Sequence, residues 1–314
     1  MSEHSTARIV VLGTGVMAGG IAAGFLAHGA SVVLLGRSVA SAQAAAAAAQ
    51  RLATTLTPQR SVMAGQSVEC GLIDGWLDWA GSSLVIETVP EDLALKRALF
   101  AQLDACVPAG VPIGSNSSGF PISQIAQGLP GAARMFNVHY FMPAHVVPLV
   151  EVVLGERSDA ALGQQVCDLL TALGKKPVLV RKDIPGFLAN RIQHALMREV
   201  LSLIDAGVAT AEDVDMAVRY SFGFRYAAIG PILQKEISGW DSVCVAARSI
   251  YPSLSNVSDV PRCLEDRVAR GDNGMKAGRG FVDWTPETIA ATRAGYEKRL
   301  QAAFAILQSD APAG

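Results

Sequence analysis

Ile9-Val10-Val11-Leu12-Gly13-Thr14-Gly15-Val16-Met17-Ala18 reads as a short buried strand that turns on two glycines into a helix. The Ala/Gly-rich helical pattern continues to about Ala27, and a second apolar run, 31–35, ends at Gly36-Arg37. Strand, glycine turn, helix and strand in that order form the first unit of a dinucleotide-binding sheet. Gly13 permits the tight turn, Gly15 lets the backbone approach a pyrophosphate, and Ala18 is small enough for close helix–strand packing. The first helical turn, with Val16 and Met17, offers free N–H groups and a partial positive charge to phosphates. A glycine turn alone is a common pattern; the two flanking strands make this one specific.

An NAD-selective chain usually ends its second strand on an Asp or Glu that accepts from the ribose 2′-OH. Here that position is Gly36, followed by Arg37 and Ser38. An absent acid and an available cation favour NADP over NAD. Arg37 stacked on adenine would suit either cofactor.

The chain has 314 residues, enough for two domains with sizeable cores. Half of them are hydrophobic, 17% are charged and the formal net charge is −2, so the basic footprint of a nucleic-acid binder is missing. The five cysteines are scattered and lack Cys-x-x-Cys spacing, which reads as buried thiols in a reducing compartment. Residues 1–8 are polar and run straight into the first strand, and no apolar run reaches membrane-spanning length. A cytoplasmic protein with no membrane partner is expected.

Further candidate strands lie at 83–89, 111–115, 135–139, 149–154 and 177–181, with an alanine-dense helix at 41–57. Alternation of strands and helices implies a mostly parallel sheet covered on both faces. After Asp183-Ile184-Pro185-Gly186 the periodicity turns helical, first over 187–206 and then from Thr210-Ala211-Glu212-Asp213, a helix-capping pattern. The fold class is therefore α/β: a doubly wound Rossmann-type sheet in a dinucleotide-binding domain, 1–184, followed by an all-helical domain, 185–314. The helical domain is expected to bind substrate and to pair two chains as a homodimer. A ligand cleft is expected between the domains.

Three polar elements follow or interrupt the later strands: Ser115-Asn116-Ser117-Ser118, His139, and Glu151 inside Leu149-Val150-Glu151-Val152. A carboxylate in an apolar strand needs a partner, and His139 is the simplest one. Such a pair holds an imidazole in one tautomer and stabilises its charged form, which suits a base that takes a hydroxyl proton. A core histidine satisfied by backbone is the other reading of His139. No metal-ligand cluster is visible, and this chemistry needs none.

These segments, in this order, resemble the 3-hydroxyacyl-CoA dehydrogenase family over nearly the whole chain. The resemblance implies that Ser118 meets the substrate hydroxyl and cofactor, that His139 is the catalytic base and that Glu151 orients it. Asn190 in Gly186-Phe187-Leu188-Ala189-Asn190-Arg191 falls on the active-site asparagine. Glu91 and Lys96 in Pro90-Glu91-Asp92-Leu93-Ala94-Leu95-Lys96, and Lys276 in Gly274-Met275-Lys276-Ala277-Gly278, fall on cofactor contacts.

Two departures stand out. The family's His-x-x-Asn-Pro reads His139-Tyr140-Phe141-Met142-Pro143, so an Asn that helps hold cofactor is replaced by Met142. The helical hairpin after the second strand, which meets CoA in acyl-CoA enzymes, offers a single cation over 41–57, Arg51. The segments 88–93 and 223–231 look more like the lambda-crystallin and L-gulonate 3-dehydrogenase branch. Relatives there oxidise carnitine or a pyridine carboxylate, small carboxylated substrates. Arg225 is then a candidate carboxylate clamp, its planar fork suiting bidentate binding; an exposed turn arginine is the plainer reading. The expectation is an NAD(P)-dependent dehydrogenase of a small carboxylated hydroxy substrate. Its rivals are a short-chain 3-hydroxyacyl-CoA dehydrogenase and an idle crystallin-like cofactor binder.

Overall fold

The computed structural model describes residues 7–56 and 68–308. The chain divides into two compact units, Met1–Arg191 and Ile192–Gly314. In the first, the elements run β1 (Arg8–Leu12), α1 (Val16–Ala27), β2 (Ser31–Gly36), α2 (Val39–Leu56), β3 (Val68–Leu72), β4 (Ser82–Glu87) and α3 (Leu93–Cys106). They continue with β5 (Ile113–Ser115), α4 (Ile122–Ile125), β6 (Met135–Tyr140), β7 (Leu149–Leu154), α5 (Ala160–Ala172) and β8 (Lys176–Val180). One eight-stranded sheet results, ordered β3-β2-β1-β4-β5-β6-β7-β8. Among the described strands of this sheet only the β6–β7 pairing is antiparallel. The expected doubly wound α/β architecture is the one that forms, and the strand order reverses at β1, where ligands bind in such sheets.

The apolar run of β1 is continuous because the strand is covered on both faces. Ile9 and Val11 join α1, α2 and α5 in one core layer, while Val10 and Leu12 join α3 in the other. Ala18 is fully buried in the first layer beside them. Helix α1 is buried along almost its whole length, and Gly20 would bring a Cβ within 3.2 Å of Ala144.

Several elements differ from expectation at their ends. Strand β4 stops at Glu87, and β5 begins only at Ile113, after Pro112, which has no N–H for the ladder. Strand β3 was not foreseen: it is a half-buried edge strand, Val68-Glu69-Cys70-Gly71-Leu72, with no apolar run to announce it. Of the helical hairpin expected after β2, one arm is α2; residues 57–67 lie outside the described residues.

Helix α6 (Ala189–Asp205) starts later than the periodicity suggests. Gly186 and Phe187 both take positive φ, 76° and 49°, which a right-handed helix cannot include. The helical unit continues with α7 (Ala211–Tyr220), α8 (Phe222–Ala228), α9 (Pro231–Ser238), α10 (Trp240–Ile250), α11 (Arg262–Arg270) and α12 (Pro286–Gln308). Thr210 caps α7 in a reciprocal box with Asp213, as its sequence spacing indicates.

Candidate active site

The glycine turn sits at the C-terminal ends of β1 and β4. Gly13 has φ 117° and a Cβ there would lie 2.3 Å from Thr88 Oγ1, so only glycine fits. Gly15 is different. Its backbone is extended, and a Cβ would meet nothing within 4 Å. The open space lies at the start of α1, where no side chain caps the helix and no acid occupies the first turn. Free N–H groups facing a cradle that contacts with neighbouring residues do not fill fit a pyrophosphate. Val16 is 78% exposed beside it, and Met17 is half-buried. Gly13, Thr14 and Gly15 line a cavity of about 710 Å³ with Gly36, Arg37, Asp74, Thr88, Leu95 and Gln102.

The antiparallel register of β6 and β7 sets His139 directly opposite Glu151. Side chains so opposed share one face of the sheet and lie within reach of each other. His139 Nδ1 stands 2.8 Å from Glu151 Oε2, with both residues buried. The second carboxylate oxygen, Oε1, accepts from Leu188 N–H at 3.1 Å and Ala189 N–H at 2.7 Å. Glu151 therefore satisfies two donors at the start of α6 while facing the helix's positive end. The reversed backbone at Gly186-Phe187 makes this possible and drives Phe187 into the core. Phe141 and Phe187 flank the imidazole, with ring centroids 4.6 and 5.5 Å away. Asn190, next on α6, is half-buried.

Ser118 is exposed on the loop after β5, and the structure pins the residues around it. Glu91 Oε1 accepts from Ser117 Oγ at 2.6 Å and Gly119 N–H at 2.9 Å. Burial alone would raise the Glu91 carboxyl, but these bonds and the Lys96 ammonium hold it below the usual carboxylate value. Asn116 Oδ1 accepts from Tyr140 N–H, joining this loop to β6 one residue beyond His139.

Lys96 was expected to touch cofactor. Its Nζ is instead directed at Glu87 Oε1 (2.8 Å), Val89 O (3.2 Å) and Glu91 Oε2 (3.4 Å), and the residue is 1% exposed. Two of its donors are thereby hydrogen-bonded inside the protein, and Glu91 faces it as an ion-pair partner. Glu87 is the residue that sequence reading missed. Fully buried at the end of β4, it also accepts from Ser115 Oγ at 2.6 Å and Val89 N–H at 2.6 Å. Burial pushes its carboxyl up, against the lowering pull of Lys96, Ser115 and Val89. Glu87 is an acid at the end of an apolar run, Leu84-Val85-Ile86, as Glu151 is an acid inside one, and the sequence carries that signal.

Residues 141–148 connect the two dyad strands. Lys175 Nζ donates to Ala144 O at 2.7 Å and Val147 O at 3.1 Å, and its desolvation lowers the ammonium to about 8. Met142, at the family's Asn position, is 66% exposed.

Arg225 and Lys276 belong to the helical unit. Arg225 is exposed on α8. Lys276, on the single turn Met275–Ala277, is exposed and borders a cavity of about 470 Å³ with Glu212, Asp215 and Asp272. Among the described residues no group of three or more His, Cys, Asp or Glu is placed to hold a metal, and no helix is long and apolar enough to cross a membrane.

Residues 8–184 match the family model of the 3-hydroxyacyl-CoA dehydrogenase NAD binding domain, and residues 186–284 match that of its C-terminal domain. The chain is similar to the 5-formyl-3-hydroxy-2-methylpyridine 4-carboxylate 5-dehydrogenase of Mesorhizobium japonicum. That relative is 31% identical over 310 residues, 96% of this chain and 98% of the other. An L-carnitine dehydrogenase of Streptomyces griseus is 33% identical over 89% of this chain and 86% of its own. A solved structure of a 5-formyl-3-hydroxy-2-methylpyridine 4-carboxylic acid 5-dehydrogenase, described as an NAD+ dependent dismutase, superposes with a TM-score of 0.86. It is 28% identical and covers 96% and 98% of the two chains. For the (S)-3-hydroxybutyryl-CoA dehydrogenase of Ralstonia eutropha the TM-score is 0.71 at 27% identity, over 90% of this chain and all of that one. The cofactor named in these descriptions is NAD; the expected preference for NADP finds no support among them.

Proposed function

The chain belongs to the 3-hydroxyacyl-CoA dehydrogenase family and is an NAD-dependent dehydrogenase; we propose that it moves a hydride between the nicotinamide and a small hydroxy substrate bearing a free carboxylate. The observation that carries this reading is the buried contact of 2.8 Å between His139 Nδ1 and Glu151 Oε2. With Nδ1–H donated to Glu151, Nε2 keeps its lone pair and takes the substrate's hydroxyl proton. Glu151 then balances the imidazolium. Ser118 and Asn190 hydrogen-bond the substrate oxygen and the imidazole. The bound nicotinamide supplies the hydride acceptor. Gly15, Val16, Met17 and Ala18 offer the backbone that receives the pyrophosphate, and Glu91 and Lys276 complete the cofactor contacts. On local chemistry Arg37 and Ser38 welcome a 2′-phosphate; the relatives favour NAD, and NAD is our reading.

Two observations favour a free acid over a CoA thioester. The relative matched at nearly full length is named for a pyridine carboxylate substrate. Helix α2 offers one cation, Arg51, to a CoA moiety. The acyl-CoA reading keeps the support of the Ralstonia eutropha structure, which this fold covers completely. Turnover of carnitine, L-gulonate, 3-hydroxybutyrate, hydroxymethyl and formyl pyridine carboxylates and acetoacetyl-CoA, each with NAD and NADP, separates the two. A free acid is expected to be the best substrate; acetoacetyl-CoA in that place overturns the proposal.

Arg225 is our candidate for the carboxylate clamp. Arg225→Lys is expected to raise KM by about tenfold, because an ammonium cannot make two parallel hydrogen bonds, and Arg225→Met to raise it further. Unchanged KM in both variants removes Arg225 from the site.

We also read the protein as a cytoplasmic homodimer. All five cysteines are free thiols, as suits a reducing compartment, although only Cys167 is buried as expected and Cys106 and Cys244 are exposed. Among the described residues of the helical unit only Leu201 and Val214 are buried, while Tyr220, Phe224, Ile237 and Tyr251 are 68–75% exposed. A helical unit with so little core of its own gains one by pairing with a second copy. Light scattering is expected to give twice the chain mass of 32.8 kDa; a monomer at micromolar concentration contradicts the dimer.

A further inference from the structure

The end of β2 lacks the acid that usually selects a free ribose, and packing explains the lack. A Cβ on Gly36 would come within 2.8 Å of both Thr14 Cγ2 and Ser41 Oγ, and 3.1 Å from Ser38 O. Thr14 belongs to the glycine turn itself, so a side chain at that strand end would have to displace Thr14 and Ser41. The neighbouring strand β3 ends level with it at Leu72, and the chain continues past that point. Gly36 lies opposite Leu72 in the parallel register, and Ile73 N–H donates to Gly36 O at 3.0 Å. The next residue is Asp74. It lines the same cavity as Gly13, Gly15 and Arg37.

Asp74 is exposed, and no hydrogen bond or ion pair ties its carboxylate to a described residue. Arg37 is likewise exposed and untied, and the two do not pair with each other. One cavity thus holds an acceptor for a ribose hydroxyl and a cation for a phosphate, contributed by adjacent strands. We propose that Asp74, in the loop after β3, supplies the acid that β2 lacks and sets the preference of this site for NAD over NADP. A free 2′-OH donates to the Asp74 carboxylate. A 2′-phosphate meets its negative charge at close range, which offsets what Arg37 contributes. The assignment rests on the cofactor reading above and refines it.

The test is direct binding, read as quenching of protein fluorescence and enhancement of nicotinamide fluorescence on titration with NADH and NADPH. Wild type is expected to bind NADH the more tightly. Asp74→Asn keeps the shape and removes the charge; it should weaken NADH, strengthen NADPH and lower the selectivity ratio by about tenfold. Arg37→Met should move the ratio the other way. The response to Asp74→Asn should shrink at high salt, as a charge effect does and a folding defect does not. Asp74→Ala, with melting temperatures for every variant, guards against a local packing change. A ratio unchanged within experimental error in both Asp74 variants, or a wild type that prefers NADPH, overturns the assignment while leaving the dehydrogenase reading intact. Failure of wild type to bind either dinucleotide overturns both.

Discussion

His139→Asn is expected to lower kcat by about two to four orders of magnitude, the range for loss of a general base, and to leave cofactor affinity nearly unchanged. Asn is the more informative replacement and Ala the companion, because Ala leaves the fully buried Glu151 Oε2 without its partner. Glu151→Gln acts through the tautomer. The two backbone donors at Leu188 and Ala189 hold the glutamine carbonyl on the α6 side, which turns its NH2 toward His139 Nδ1. Nδ1 must then accept, the proton moves to Nε2, and the nitrogen facing the substrate no longer holds a lone pair. Turnover is expected to fall nearly as far as in His139→Asn, with little change in melting temperature. Full activity of either variant at its optimal pH removes the dyad from the reaction.

Lys96→Met is expected to destabilise the protein by about 3–5 kcal/mol, the cost of breaking a buried ion pair from one side. Glu87, fully buried, would keep Ser115 and Val89 as donors and lose its counter-charge. The sign with pH follows from the raised carboxyl. Burial already pushes Glu87 up, and Lys96 provides the first of the opposing effects, so in the variant the folded-state carboxyl rises further. A carboxyl raised above its unfolded value contributes stability that is present at low pH and is lost as pH rises through the folded value. The deficit relative to wild type is therefore smallest near the pH at which an ordinary glutamate titrates, about 4.3, and grows toward neutrality. Urea unfolding of both proteins across that interval measures it. Glu87→Gln combined with Lys96→Met should recover part of the loss, since no charge is then left alone. A deficit that does not vary with pH contradicts the pairing. Because Glu91 and Ser117 continue the same network toward Ser118, loss of Lys96 should also raise KM.

Legibility differed sharply between the two halves of the site. His139 and Glu151 could be paired from the sequence because β6 and β7 are antiparallel neighbours joined by one loop, so a single register places every facing pair. Glu87, Ser115 and Lys96 come from β4, β5 and α3, and Asp74 follows β3. Parallel strands are joined by crossovers, and spacing along the chain does not say which residues of two such strands end side by side. The resemblance placed Lys96 near cofactor; the buried Glu87 that takes up its ammonium comes from the fold.

What the amino-acid sequence by itself determined is the local material: the glycine turn, the two-sided apolar strands, the switch to helical periodicity after Gly186, the helix cap at Thr210, and His139 and Glu151 as candidate partners. Each depends on residues close together in the chain, where backbone geometry and hydrophobic period act directly. Only the tertiary structure decided the rest. It crowded Gly36 with Thr14 and Ser41, set Asp74 from the loop after β3 in the same cavity, and paired Lys96 with Glu87. It also turned Phe187 into the core so that Glu151 could meet the first N–H groups of α6. The physical reason is common to all of these: each is set by close packing and hydrogen-bond satisfaction between segments that meet only when the sheet has closed.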